Sequence, residues 1–388
     1  MQKYGIVAIG YNRPDSMQRL LTALETADYQ GQQLTLIVSI DNCGNDAVEQ
    51  VANAAQWTHG EKIVRTFPVR QGLRNHILQC GSCLETYDLD AIAVFEDDVL
   101  PSPVFFSCMR QCAEQYAENE EIAGISLYKH GINVNANLPF VPQPSQYDVF
   151  FMQFAQSWGQ VWLRKQWKAF SNWYASEEND HVFDPNKLPA FVCRWPKTSW
   201  LKYHIKYCVE QNKYFVYPYF SYATCFSEAG EHTGETTSRL QIPVQTEVVK
   251  SLRLPERVSE GVAYDSFFEY VDASDVCYDL YGVKQNYGDK SKLLSRKKLR
   301  YRVIGSYSLI LKPHEMNYLN GQSGEDIFLY DLNTEVASVP VGTGYDMQAL
   351  HYYYNYFPGV KDSWELLLQM LKKKARAGLR RIKKKLLR

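Results

Sequence analysis

The chain has 388 residues, 45% hydrophobic and 22% charged, a globular balance that allows one large domain with additions or two or three smaller ones. No stretch of about 18 apolar residues occurs, which excludes a spanning helix. The formal charge of -1 hides an asymmetry: residues 372–388 carry ten basic and no acidic side chains, so residues 1–371 sum to -11, which argues against nucleic-acid binding by the body.

The first part alternates strand and helix. Ile6-Val7-Ala8-Ile9 reads as a buried strand, and after Asn12-Arg13-Pro14-Asp15 the apolar Met17, Leu20, Leu21 and Leu24 recur at helical spacing. Leu34 to Ile40 is a second strand, Asp46 a candidate cap for a helix carrying Val48, Val51 and Ala55, and Lys62 to Arg65 a third strand. Gly72 opens a helix to about Tyr87, and Ala91 to Phe95 is a fourth strand. This β/α alternation predicts a mainly parallel sheet with helices on both faces. Beyond it, Asn133 to Ser145 reads as a loop, Trp200 to Val209 as a helix and Tyr214 to Pro218 as a strand, with Ser227 to Gly234 polar throughout. Residues 241–360 are mixed and tyrosine-rich, and read as an appended α+β section without a catalytic motif.

Nine scattered cysteines, and an N-terminus that goes straight into a strand without a signal-peptide layout, predict reduced thiols and a cytoplasmic setting. Cys80-Gly81-Ser82-Cys83 is a lone CxxC in a helix, open to a zinc or redox role and to a plain one as buried thiols.

The most informative segment is Phe95-Glu96-Asp97-Asp98, where a buried strand ends in three carboxylates. Packed acids repel one another and lose hydration unless a cation or a donor-rich ligand attends them. A solvated turn or a helix cap is the alternative. Asp41 ends the second strand at the same sheet edge, placed to accept from a base or ribose, or to form an Asx-turn. Gly10-Tyr11-Asn12-Arg13 ends the first strand, putting Arg13 at that edge, and Gly72 and Arg74 stand where the next helix begins, suited to hold an anion. The carboxyl edge of an open α/β sheet is where ligands bind.

Val7 to Arg13, Val38 to Gly44 and Phe95 to Asp98, in that order, resemble the nucleotide-sugar half of GT-A-fold glycosyltransferases, of the N-acetylglucosaminyltransferase I type and its bacterial family-2-like polysaccharide relatives. The resemblance runs from about residue 4 to 235. It implies a GT-A α/β fold (a mainly parallel mixed sheet flanked by helices) over residues 1–240. It further implies that Asp98 ligates Mn²⁺ or Mg²⁺ on the donor diphosphate, that Asp97 lies near the ribose and metal waters, and that Glu96 touches the donor sugar. Asp41 would read the nucleotide, usually uracil, and Arg13 would stand at the nucleotide pocket. Trp158 and Gly159 resemble a segment shaping the sugar pocket, and Gly230-Glu231-His232-Thr233-Gly234 a loop closing over donor, with His232 on phosphate or metal. The chain departs from the family at Trp195-Pro196-Lys197-Thr198-Ser199-Trp200, which lacks the carboxylate that would be the catalytic base. Glu228 and Glu231 are the substitutes, with Asp180 and Asp184 as further options. Each has a bland alternative as a solvated loop side chain.

The C-terminal stretch 361–388 reads as a basic amphipathic helix: Trp364, Leu367, Leu368, Leu371, Ala375, Leu379, Ile382 and Leu386 recur at three- and four-residue spacing among the ten basic residues. Such a helix suits an anionic membrane surface; a solvated terminal helix or tail is the alternative. The expectation is a metal-dependent, inverting transfer of sugar from a UDP-linked donor to a glycan or lipid-linked glycan, in bacterial surface polysaccharide synthesis, on the inner face of the membrane. Two rivals stay open: a nucleotidyltransferase, although Gly10 to Pro14 forms no Gly-rich phosphate loop, and a non-catalytic glycan- or membrane-binding module of transferase ancestry.

Overall fold

The computed structural model describes residues 2–176, 182–228 and 238–341, with Leu368 and Leu371. Asp180, Glu231, His232 and the basic segment 372–388 lie outside the described residues. The chain divides into two compact units, Met1–Val339 and Pro340–Arg388, and every element below belongs to the first.

In chain order the first elements are β1 (Tyr4–Gly10), α1 (Pro14–Glu25), β2 (Thr35–Ile40), α2 (Ala47–Ala54), β3 (Lys62–Thr66), α3 (Leu73–Gly81), α4 (Cys83–Thr86) and β4 (Ala91–Glu96). There follow β5 (Val99–Pro101), α5 (Phe105–Tyr116), β6 (Ile122–Ser126), a short hairpin of β7 (Ile132–Asn133) and β8 (Leu138–Pro139), β9 (Val149–Met152) and β10 (Gln160–Leu163). Next come α6 (Arg164–Ala175), α7 (Ala190–Cys193), α8 (Leu201–Glu210), β11 (Tyr214–Pro218), β12 (Ala223–Cys225), β13 (Ala263–Tyr264) and β14 (Tyr270–Val271). The last are β15 (Val276–Asp279), β16 (Lys292–Ser295), β17 (Tyr301–Tyr307), α9 (Glu315–Leu319) and β18 (Ile327–Glu335).

A ten-stranded sheet has the order β14-β13-β9-β11-β6-β10-β4-β1-β2-β3. Strands β4, β1, β2 and β3 are mutually parallel, and β10 is inserted antiparallel between β4 and β6. The expected α/β architecture, a mainly parallel sheet between helices, is the one found. All seven residues of β1 are buried, because a parallel strand covered on both faces needs apolar side chains at every position. Alternate residues serve opposite faces. Ile6, Ala8, Val38 and Phe95 pack with Leu20 and Leu24 of α1, Val48 of α2 and Phe105 and Phe106 of α5. On the other face Ser39 meets His76 of α3, Trp162 stacks on Trp167 of α6, and Phe215 meets His204 of α8.

Local chemistry explains several boundaries. Pro14 sits in the first turn of α1, where a missing N–H costs nothing. At the end of β1, Gly10 lets α1 and α2 approach closely, since a Cβ there would lie 2.5 Å from the Met17 side chain and 3.1 Å from that of Val48. Asp46 stands at the N-cap position of α2, but its carboxylate makes no capping bond and instead accepts from Gln50 Nε2 at 2.9 Å. The expected helix from Gly72 breaks at Ser82 into α3 and α4. All nine cysteines are free thiols, and Cys80 and Cys83 are both buried.

The sequence put a domain boundary at 240, yet the large sheet draws β13 and β14 from beyond it. A separate four-stranded sheet, β15-β16-β18-β17, follows.

Candidate functional site

Strand order fixes the site. The chain runs from β1 outward to β2 and β3, then returns to place β4 on the other side of β1. The loops leaving β1 and β4 therefore diverge, opening a crevice at the carboxyl edge, the topological switch point. Gly10 pairs in register with Ile40, and Ile9 with Glu96, so Tyr11–Arg13, Asp41 and Glu96–Asp98 emerge side by side.

At the centre of the crevice Arg13 meets the acid step. Its Nε donates to Asp97 Oδ2 at 3.2 Å, its Nη2 donates to Asp97 Oδ1, and the same Nη2 lies 3.4 Å from Asp98 Oδ2. Arg13 was expected at the nucleotide pocket. It pairs with the acids of that edge, where its charge relieves the repulsion among three adjacent carboxylates. Arg13 Nη1 is buried with no hydrogen-bond partner among the described residues.

One guanidinium does not neutralise the cluster. Burial lifts the Asp97 carboxyl to about 6 even against the pull of Arg13. Burial and the Asp98 and Asp97 charges push Glu96 up to about 8, and among the described residues nothing hydrogen-bonds its carboxyl. Asp98 is the more open of the aspartates, its side chain 30% exposed against 6% for Asp97. Among the described residues no group of three or more His, Cys, Asp and Glu side chains is arranged to hold a metal ion. The carboxylate oxygens still suit a hard divalent ion that takes one or two protein ligands and completes its shell with phosphate and water.

Asp41 is buried and engaged by backbone. Its Oδ1 accepts from the N–H groups of Asn42 (2.8 Å) and Gln71 (2.7 Å), and its Oδ2 from that of Gly72 (2.9 Å). The carboxylate thus pins the loop before α3, and Gly72 at φ +74° supplies the left-handed backbone this requires. Of the roughly four acceptor positions of a carboxylate, one is left for a ligand. The pinned loop brings Arg70 over the Tyr11 ring, 4.8 Å from its centroid. Neither residue stands out in the sequence, since the contact depends on β1 and β3 sharing an edge.

Arg74 does not face the acids. Its Nη1 donates to the Lys197 carbonyl at 2.7 Å and to Tyr203 Oη at 3.1 Å, tying α3 to the Trp195–Trp200 segment. These contacts, which the sequence does not announce, involve Nη1.

Trp158 and Gly159 lie in the bend that leads into β10. In the β4–β10 pairing Gln160 faces Val94, and Gly159, just before that pair, lies beside the Phe95 ring at the end of β4. Gly159, at φ +88°, leaves no room for a side chain: a Cβ would lie 2.7 Å from that of Ala223 and 3.2 Å from the Phe95 ring.

Strands β5 and β12 pair antiparallel, and Phe226 N–H donates to the Asp98 carbonyl at 2.9 Å, which brings Glu228 to the same edge. There both Glu228 oxygens are held by Arg19, at 2.7 and 2.6 Å, with Ser16 Oγ 3.3 Å away. The Arg19 hydrogen bonds hold the Glu228 carboxyl below its usual range, the reverse of what a general base needs. Arg19 also lies over the Phe226 ring at 4.4 Å. Asp184 Oδ1 caps a surface turn through Asn186 N–H at 2.8 Å.

The chain matches no known protein-family model and no curated protein. Among solved structures it is similar to residues 1–349 of S. aureus TarS in complex with UDP-GlcNAc, at 12% identity and TM-score 0.39 over 61% of this chain and 62% of that one. It is also similar to a mannosyltransferase, PcManGT from Pyrobaculum calidifontis, in complex with GDP-Man and Mn²⁺, at 11% identity and TM-score 0.31 over 45% and 47% of the two chains. The chain thus spans under two thirds of these neighbours' lengths.

Proposed function

We propose that this protein is a glycosyltransferase that takes sugar from a nucleotide-diphosphate donor, UDP-linked, and delivers it to a glycan or lipid-linked glycan. The observation that carries this is the switch-point crevice, where Glu96, Asp97 and Asp98 exceed the one cation, Arg13, that pairs with them among the described residues. A diphosphate with its counter-ion fits that imbalance from both sides: the acids want a cation, and the buried Arg13 Nη1 wants an acceptor. Asp98, with Asp97 beside it, would hold Mn²⁺ or Mg²⁺, which when bound neutralises charge on the leaving diphosphate. Tyr11, Arg70 and the last acceptor position of Asp41 border the place for the nucleoside, and Glu96 with Trp158 the place for the sugar.

Inverting transfer needs a base for the acceptor hydroxyl. Arg19 occupies Glu228, so Glu231 is the proposed base. Glu231→Gln should retain donor binding and lose about 10²–10⁴-fold in transfer. Undiminished transfer would remove it from the role.

The experiment that tests the whole proposal is a panel of nucleotide sugars with Mn²⁺ or Mg²⁺, scoring nucleoside diphosphate release. Release from at least one UDP-sugar is expected, and nucleotide transfer with pyrophosphate release would favour the nucleotidyltransferase instead. The proposed setting is the inner membrane face in polysaccharide synthesis, supported by the ten basic residues of 372–388 with their apolar repeat. Deleting 372–388 should release the protein from anionic vesicles and leave donor hydrolysis unchanged. Equal sedimentation of both forms would remove the membrane from the proposal.

A further inference from the structure

A buried imidazole lies behind the Trp158–Gly159 turn. His130 follows β6 and is 1% exposed, within a cage of aromatic rings. Phe268 lies 4.9 Å from it, Tyr128 5.4 Å, Phe154 5.6 Å and Tyr217 5.8 Å, while Trp158 lies 6.4 Å away. Its one hydrogen bond among the described residues joins Nε2 to Gln156 Nε2 at 2.9 Å. The other end of Gln156 faces the turn: Oε1 accepts from the backbone N–H groups of Ser157 at 2.6 Å and Trp158 at 3.2 Å.

The direction of the chain is therefore fixed. Two backbone amides can only donate, so the oxygen of Gln156 must face them and its NH₂ must face the imidazole. His130 Nε2 is then the acceptor, and its proton sits on Nδ1. An aromatic cage permits this neutral form and opposes the imidazolium; burial pushes the ring down to about 3. A protonated ring would also set an N–H against the Gln156 amide N–H.

We propose that His130 and Gln156 are positioning residues that hold the Ser157–Trp158–Gly159 turn against the end of β4, and so set where the donor sugar lies relative to Glu96. The inference rests on the transferase proposal for what the turn serves, and on geometry alone for the clamp. Among the described residues the turn is also anchored by the Gly159 carbonyl accepting from Leu127 N–H at 2.9 Å and by the Trp158 ring edge-on to Tyr128 at 4.9 Å. Neither fixes the amides of Ser157 and Trp158, which the Gln156 oxygen alone engages among the described residues. Without it the Ser157 and Trp158 amides lose that acceptor and their peptide planes are less constrained, and a misplacement of about 1 Å at a reacting group costs on the order of 10²-fold.

The test uses the full chain with Gln156→Leu, which removes the oxygen at similar volume, and His130→Phe, which keeps the ring packing and removes the acceptor. Two readouts separate clamp from reaction. Amide hydrogen exchange on the unliganded protein should show Ser157 and Trp158 protected in the parent and at least tenfold faster in Gln156→Leu, with β4 unchanged. Imidazole ¹⁵N shifts should show the Nδ1–H tautomer of His130. With Mn²⁺, both variants should bind UDP as the parent does, since Tyr11, Asp41 and Arg13 are untouched, and should turn over the UDP-sugar about 10²-fold more slowly. Unchanged exchange at Ser157 and Trp158, or an Nε2–H tautomer, overturns the clamp. A loosened turn with undiminished turnover, or UDP affinity falling in step with turnover, overturns its role in placing the sugar. If the parent turns over no nucleotide sugar, it is the transferase proposal that fails and the sugar-placing role with it, while the exchange data still decide whether the clamp exists.

Discussion

Two clusters of acids among the described residues, one half-buried and one fully buried, are solved differently. In the second, beside the four-stranded sheet, Asp265, Glu269 and Asp279 are all buried, and each is supplied with donors. Asp265 accepts from the N–H groups of Phe267 and Glu269 and pairs with Lys284 Nζ at 2.6 Å. Glu269 takes the N–H groups of Leu280 and Tyr281, both at 2.8 Å, and Asp279 pairs with Lys297 Nζ at 2.8 Å. At the acid step one guanidinium pairs with two of the three carboxylates, and Glu96 has no donor among the described residues. An acid cluster that the protein saturates is part of its frame, whereas one left short at a sheet's carboxyl edge is arranged for something the protein does not contain.

Breaking the saturated cluster should have the largest effect. Lys284→Met strands the Asp265 carboxylate in a buried site and should cost about 3–5 kcal/mol of stability by chemical denaturation. Turnover per folded molecule should be unchanged. Breaking the unsaturated one should invert that pattern. Asp98→Ala should reduce nucleoside diphosphate release by about 10²–10³-fold. The unliganded variant should be as stable as the parent or more so, because a repelling charge beside Glu96 and Asp97 is gone. If Asp98→Ala instead unfolds the protein as Lys284→Met does, the acid step is frame as well and the contrast collapses.

The intermediate case is Glu315, 2% exposed, whose carboxylate has the Tyr264 hydroxyl as a donor at 2.8 Å. Burial raises it to about 7 from an ordinary 4.5. For an acid raised in the folded state, stability is greatest while the group is protonated in both states, below 4.5. It falls as pH rises from 4.5 to about 7 and is flat beyond. The loss corresponds to about 3 kcal/mol. Glu315→Gln keeps an acceptor for Tyr264 and should flatten that decline, so the variant should exceed the parent at pH 8 and match it at pH 4. Parallel stability curves for the two proteins over this range would show that the one hydroxyl already suffices.

What the sequence makes legible follows from how far apart the partners lie. Contiguous runs such as Ala91-Ile92-Ala93-Val94-Phe95 declare a strand, and Glu96-Asp97-Asp98 at its end declares an unusual charge density. Pairings set by sheet order stay hidden: Arg13 reaches Asp97 across 84 residues, and Arg19 reaches Glu228 across 209. The insertion of β10 antiparallel beside β4, which brings Gly159 beside the Phe95 ring, has no local signature either. Asp41 was legible as a carboxylate at a strand end, but the backbone amides that engage it come from a loop 30 residues away. Arg74, read locally as the head of a helix, is claimed by Lys197 and Tyr203, which no local pattern connects to it.

The smallest expected effect bears on whether missing partners alone mark a site. His204 is fully buried, and neither of its nitrogens has a hydrogen-bond partner among the described residues. Yet it lies under the sheet in α8, stacked on Phe170 at 4.1 Å and edge-on to Phe215 at 5.0 Å, away from the strand ends where Glu96 and Asp98 emerge. Its burial pushes the ring down to about 3, so it is a neutral ring with an unsatisfied N–H rather than a charge awaiting a ligand. Such a group costs about 1–3 kcal/mol, which an apolar ring of similar shape does not incur. His204→Phe should therefore raise the denaturation midpoint by an amount equivalent to about 1–2 kcal/mol, with donor turnover unchanged. A fall in turnover without a fall in stability would show that position at the carboxyl edge is not needed for an unpartnered group to serve the reaction. The distinction between the two acid clusters would then have to rest on charge alone.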